Sequence, residues 1–566
     1  MSLKNILKFG TLCSFIILSF IYQGCSPGKE EMKAELEKFI KKYETEVIPL
    51  YKDANIAYFN ATISGKDEDY KKAEELQVKL SKIYANKEDF KLLSKIYESG
   101  AIEDELLKRQ LEKLYLSYKG NQIDEKKLED IIKLQIEIEK KYSTFRAEVK
   151  GKKLTDNEVE EILKTSANSD ELKEVWLAHK SIGNLVVNDV LKLVKMRNEI
   201  AKELGYKNYH QMSLSLSEQD PDEIEKLFDE LDKLTLPTFR NLKNNIDNFI
   251  SQKVKLPKEQ LMPWHYQNRY FQEAPRIYTV DLDGYYAKKD IVQLTTTYFN
   301  GIGLPIDDML KNSDLFEKEG KYQHAYCTDI DRSGDVRVVC NIKPNYNWMN
   351  TMNHEFGHAV YDKFMDMNLP WVLREPAHTF TTEAIAMFFG RLASNPEWMK
   401  TMLNISEEEK NKVAEENFKS LKLEQLTFSR WVQVVYRFEK SMYENPDQDL
   451  NTLWWDLVEK YQLLKRPENR NEPDWVTKIH IALYPAYYHN YMLGELLASQ
   501  FLFTLTDKVL KSDNYKTQSF TNNKEIGEYF TKNVFGVAAK YPWNTMIEKA
   551  TGEKLTPKYY AKQFVD

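Results

Sequence analysis

The chain has 566 residues, a formal net charge of −7, 42% hydrophobic and 30% charged residues, and 13% aromatics. Acidic and basic residues are interleaved, so there is no basic face for a phosphate backbone and nucleic-acid binding is excluded as its main function. Only 20 Gly and 18 Pro punctuate a length above the usual single core, which predicts two helical lobes folded as one unit over 25–566, with a substrate site in the cleft between them.

In chain order, Lys4 and Lys8 precede an apolar run over 12–22 and then Gln23-Gly24-Cys25-Ser26. The run is too short for a stable membrane span and has the layout of an export signal over 1–24. Cys25 after Gly24 resembles the lipid-attachment site of bacterial lipoproteins. The expectation is an exported protein on the periplasmic or cell-surface face, held to the membrane through a lipid on Cys25, with no obligate protein partner indicated. From residue 29 to about 250 the charges and apolar residues follow a helical period, with helices expected at 31–58, 67–83, 126–149, 185–204 and 221–250 and almost no strand signal. After Pro257 the pattern loosens, and a further helix is expected at 289–300.

The segment 324–340 reads as a hairpin with Ser333-Gly334 at its turn and a β-branched second arm. Centred there, the hairpin sets Cys327 opposite Cys340, within the reach of a disulfide in an oxidising compartment; the alternative is two buried thiols. Next comes His354-Glu355-Phe356-Gly357-His358. On a helix, two His four residues apart share a face and can hold one Zn²⁺, which leaves Glu355 to act on water rather than on the metal. A catalytic zinc site needs a third ligand. Glu383 is the candidate, in the first turn of a second helix that begins after Asn368-Leu369-Pro370 behind a Thr cap. A bland role for Glu383, complementing the helix dipole, stays open. Further on, Lys478-Ile479-His480 and a run of Tyr487, Tyr488 and Tyr491 lead into a long apolar helix to about 510.

Together these residues resemble the angiotensin-converting-enzyme family of zinc peptidyl-dipeptidases through most of the chain. The shared landmarks are the His354–His358 motif, Leu369-Pro370, Arg374-Glu375, Ala377, Phe380 with Glu383, His324-Ala325, and Asp335-Val-Arg-Val-Val-Cys340. The resemblance implies a mainly helical (all-α), two-lobed peptidase with a deep central cleft, one Zn²⁺ per chain on His354, His358 and Glu383, and peptides as substrates. It implies Glu355 as general base, and His480 and Tyr491 as donors to the developing oxyanion. It also implies Lys478 and Tyr488 on the substrate's terminal carboxylate, helped by Tyr266 or Gln267, with Gln267 preferred, and His324-Ala325 as an edge strand for substrate backbone.

The chain departs from the family in three places. Met387 stands one turn after Glu383 where the family has an Asp that orients a ligand His, so that support must come from elsewhere. The spacing from His480 to Tyr491 is one residue longer. Asn490 replaces an Arg that helps hold an activating chloride, which implies no strong chloride requirement. His378, just ahead of the second helix, reads as exposed or substrate-facing, and His489 as packing or surface. The competing functional readings are an oligopeptidase or carboxypeptidase of the wider helical zincin group, and a non-catalytic binding lipoprotein on the same scaffold.

Overall fold

The computed structural model describes residues 28–278 and 280–565, so the segment 1–24 expected to direct export and the expected lipid-bearing Cys25 lie outside the described residues. The architecture is all-α, with four short strands in two antiparallel hairpins. The expected helices form with shifted ends: Lys29–Ser64, Asp67–Tyr84, Glu125–Thr144, Ile182–Glu203, Pro221–Val254 and Ile291–Gly301. Local chemistry sets several of these ends. Asp220 caps the N–H groups of Asp222 and Glu223 ahead of Pro221, where a missing N–H costs nothing.

One expected helix is cut short. The pattern read as 126–149 ends at Thr144, and Ala147–Val149 (β1) turns back onto Lys152–Leu154 (β2). Lys150 and Gly151 carry the turn at φ 52° and 80°, a pair of left-handed residues suited to a tight hairpin.

The main core runs through the chain from Ile131 to Phe564. A smaller core joins the N-terminal helices, through Leu36, Phe39, Tyr43 and Tyr118, to Trp371 and Leu373. That contact positions the site, because the turn Trp371–Leu373 links the two helices expected to carry metal ligands. These are Tyr346–Lys363, here the histidine helix, and Thr379–Gly390, here the glutamate helix. The glutamate helix packs against both the histidine helix and the helix His489–Thr504. The last is apolar on all sides and almost wholly buried, as a helix at the centre of a large core must be. Among the described residues, no helix is long and apolar enough to cross a membrane.

Candidate metal centre and substrate cavity

The histidine helix starts at Asn345, whose side chain accepts the N–H of Trp348 at 2.9 Å. It brings His354 and His358 onto one face, with ring centroids 4.9 Å apart. The glutamate helix is capped by His378 rather than by the expected Thr: His378 Nδ1 accepts the Phe380 N–H at 3.2 Å. Glu383 follows one turn in and faces the histidines. Its Oε2 lies 3.7 Å from His354 Nε2 and 3.9 Å from His358 Nε2.

The approach of the two helices depends on Gly357. A Cβ there would stand 2.8 Å from Ala386 Cα and 3.2 Å from its nitrogen, too close for any side chain. The glycine inside the histidine motif is thus where the neighbouring helix touches, and Glu383 comes within reach of the histidines as a result.

The donor set fits a metal. One ligand atom from each of His354, His358 and Glu383 falls within 4.8 Å of the others, and two imidazoles with one carboxylate are a known catalytic zinc set. Burial lowers His354 to about 4, and burial with His354 nearby holds His358 well below the usual imidazole range. Both rings are therefore neutral and free to coordinate. Burial raises Glu383 to about 7. Burial, and then the charge of Glu383, raises Glu355 to about 8. Two buried carboxyls beside neutral rings have no cation to balance them, and one bound among these donors would stabilise both. His358 Nδ1 lies 2.7 Å from Thr382 Oγ1, which leaves Nε2 toward Glu383 and supplies the support that Met387 cannot.

These groups line a cavity of about 980 Å³ together with Ala325, Cys327 and Tyr491. Tyr326–Asp329 (β3) forms one rim and pairs antiparallel with Val336–Val339 (β4). Among the described residues β3 has no partner strand on its other edge. Ala325 reaches the cavity wall, whereas His324 is exposed outside it, its ring 5.4 Å from that of Tyr322.

The hairpin register corrects the cysteine expectation. Cys327 lies opposite Val338, not Cys340, and both thiols are free. The turn occupies 330–335, with Ile330 N–H donating to Asp335 O, so the pairing is two residues away from the one a turn centred on Ser333-Gly334 implies. Burial and nearby carboxylates push the Cys327 thiol well up, and burial does the same to Cys340.

Tyr491 stands in the cavity wall, its ring 5.3 Å from that of Tyr488. Tyr488 in turn lies 5.2 Å from the His480 ring, and Lys478 Nζ sits 5.5 Å from the Tyr488 centroid. The four residues thus form one continuous group running away from the metal ligands. Burial lowers His480 to about 4, and its Nδ1 is buried with no hydrogen-bond partner.

Lys478 Nζ donates to Gln272 Oε1 at 2.7 Å. Tyr266 and Gln267, the residues expected to help at the carboxylate, have other partners. Gln267 Oε1 accepts the Arg276 N–H at 3.2 Å, and the Tyr266 hydroxyl is tied to Lys243 and Asp247 at 2.8 Å each. Gln272 was not singled out in the sequence, although it lies only six residues short of Tyr278 in a loosened, aromatic stretch that periodicity does not resolve. Tyr487, part of the aromatic run but given no role in it, lines the cavity beside Tyr491, with ring centroids 5.5 Å apart. Asn490 Oδ1 accepts from Gln219, whose Oε1 meets His489 Nε2, both at 2.8 Å. His489 is therefore a buried packing residue, and His378 lines the cavity.

The family model Peptidase_M2, angiotensin-converting enzyme, matches residues 30–560. Among individual relatives, angiotensin-converting enzyme of Mesocricetus auratus is 23% identical over 92% of this chain and 41% of its own length. Those of Haematobia irritans exigua and Theromyzon tessulatum are each 22% identical, over 72% and 73% of this chain and 72% and 71% of their own lengths. The chain spans about two fifths of the length of the mammalian relatives it matches. Since the family model runs through both histidines, Glu355 and Glu383 and through nearly every described helix, the chain belongs to the angiotensin-converting enzyme family of peptidases, Peptidase_M2.

Proposed function

We propose that the protein is a zinc-dependent peptidase that releases dipeptides from the free C-termini of peptides. The observation that carries this reading is the convergence of His354, His358 and Glu383 on one point, with Glu355 beside them, in the wall of a cavity rimmed by an open strand edge. A peptide added along β3 would satisfy its backbone groups there. Zinc, when bound by the three ligands, supplies a Lewis acid that polarises the scissile carbonyl and lowers the pKa of water toward about 7.

The chain's own groups do the rest. Glu355 takes the proton of the attacking water on its carboxylate and returns it to the leaving amine nitrogen. The Tyr491 hydroxyl and the His480 ring donate to the carbonyl oxygen as its charge grows, each contributing about 3 kcal/mol of transition-state stabilisation. Lys478, Tyr488 and Gln272 grip the terminal carboxylate and fix which bond reaches the metal. The described residues act as one two-lobed unit around this cleft, and 1–24 directs export, with Cys25 as the lipid-bearing residue of the mature protein.

The test is to incubate the purified protein with peptides of defined sequence, with and without a chelator, and to size the fragments. The expected outcome is stepwise loss of dipeptides from the C-terminus, abolished by the chelator and restored by Zn²⁺. Release of single residues, internal cleavage, or chelator-resistant turnover would overturn it.

A further inference from the structure

Four carboxyl groups of the cavity wall have no part in the proposed reaction, and two of them are paired, Glu218 with Arg109 and Glu375 with Lys113 and Arg332, which leaves Asp329 and Asp362. Asp329 ends β3, and Asp362 stands one turn past His358 on the histidine helix. Cys327 and Asp329 are two apart on β3 and so point to the same side. The thiol of Cys327 feels the charges of Asp362, Glu355 and Asp329, so both aspartates border the reacting end of the cavity.

The cation nearest to them is already committed. Arg332 donates to Glu375 Oε2 at 2.7 Å and lies 4.7 Å from the Trp371 ring centroid and 5.1 Å from that of Tyr51. Other neighbouring cations are spent as well. Lys113 pairs with Glu375 at 2.8 Å, Lys52 with Asp331 at 2.9 Å, and Lys363 with Asp308. Arg374 donates to the carbonyl oxygens of Leu369 and Arg332. Asp329 Oδ1 accepts the N–H groups of Asp331 and Arg332 at 3.2 and 2.8 Å. Asp362 has neither a hydrogen bond nor an ion pair among the described residues.

Burial, and then the charge of Asp329, hold the Asp362 carboxyl well above the usual carboxylate range, and burial raises Asp329 to about 6, so the empty pair holds a proton and a cation arriving from outside would favour its charged form. A metal ion is a poor candidate. Calcium takes six to eight oxygens, and the one group of three or more metal-ligating side chains among the described residues is His354, His358 and Glu383. The cavity instead admits a peptide. Tyr488, Lys478 and Gln272 do not line this cavity and connect to it through Tyr491, whereas Asp329 and Asp362 stand in its wall by Cys327. The aspartates thus face residues upstream of the scissile bond.

We infer that Asp362 and Asp329 form a subsite that selects a positively charged group of the peptide, a Lys or Arg side chain or a free α-ammonium, upstream of the bond that is cut. The inference rests on the peptidase reading.

The test uses zinc-loaded protein and pentapeptides with free C-termini in which each upstream position in turn is Lys, norleucine or Glu, with and without N-acetylation. At one position Lys should exceed norleucine in kcat/KM by at least about 30-fold at low salt, and the preference should shrink as salt is raised. A preference that vanishes on acetylation assigns the α-ammonium; one that survives assigns the side chain. Asp362→Asn should bring the ratio close to one, and Asp362→Lys should turn it in favour of Glu. Equal rates for Lys and norleucine at every position in both acetylation states, or a ratio that survives Asp362→Asn, would overturn the inference. The wild-type ratio and its salt dependence decide even if the variants do not fold. Should no peptide be cleaved, calorimetric titration of Lys and norleucine peptides distinguishes the two failures. Charge-dependent binding without turnover would retire the peptidase reading and keep the subsite, and charge-independent binding would retire the subsite.

Discussion

Gly357 and Ala386 hold the two helices of the candidate metal centre at their closest approach, and a Cβ on residue 357 would lie 2.8 Å from Ala386 Cα. A Gly357→Ala change must push the glutamate helix away from the histidine helix, since backbone cannot yield as a side-chain tip can. Overpacking of this kind costs about 1–3 kcal/mol. Glu383 moves with its helix, so bound zinc per chain, measured by elemental analysis after dialysis, should fall along with thermal stability. A variant with full zinc content and unchanged melting would show that the contact relaxes elsewhere.

Thr382 is expected to matter through His358. Thr382→Val keeps the shape and removes the oxygen 2.7 Å from His358 Nδ1, leaving the ring free to turn. Loss of such a supporting contact typically weakens metal binding about 10–100-fold. Competition with a chromophoric chelator measures it, and an unchanged affinity would assign the support of His358 to another group.

Glu355→Gln separates metal binding from turnover. The three ligands remain, so zinc should stay stoichiometric, while activity drops by at least about 10²-fold with the base gone. Glu383→Ala should instead lower the zinc content itself. Activity above about a tenth of wild type in Glu355→Gln would remove that residue from the proton-transfer role.

Lys478 ties activity to pH. Burial first, and then Arg269, lower its ammonium to about 8, so in the free protein the positive charge is present below pH 8 and lost above it. On the proposed function, kcat/KM for peptides with a free C-terminal carboxylate should fall as pH rises through about 8. Amidated peptides, which give the ammonium no charge to meet, should lack that limb of the profile, as should Lys478→Met acting on the free acids. A limb common to acids and amides would come from a different group.

The free thiols make a simple biochemical prediction. Unreduced, denatured protein should expose both Cys327 and Cys340 to a maleimide, identified by peptide mapping, and reductant should leave stability unchanged. In the native state Cys327, in the cavity wall, should react before the fully buried Cys340, and both slowly, because burial suppresses the thiolate. Recovery of a 327–340 cystine would refute the register.

What the sequence determined by itself was local. A helical period places His354 and His358 on one face from their spacing alone, and most of the helices it named lie within a few residues of their observed ends, although many others, Glu407–Glu444 among them, were not named. Short-range order likewise kept Lys478, His480, Tyr488 and Tyr491 within one group. Packing decided the rest. The delivery of Glu383 depends on Gly357 meeting a helix that lies across a turn held by the N-terminal helices. The contact of Lys478 with Gln272 was not legible, because residues 266–276 follow no period and their side chains are assigned by contacts with Lys243, Asp247 and Arg276. The register of β3 on β4 followed the hydrogen bonds of the 330–335 turn, not its glycine, which moved Cys327 two residues away from Cys340. Asp329 and Asp362, 33 positions apart in the sequence, share a cavity wall only because the hairpin folds onto the histidine helix; contacts of that range come from tertiary packing, which no local pattern encodes.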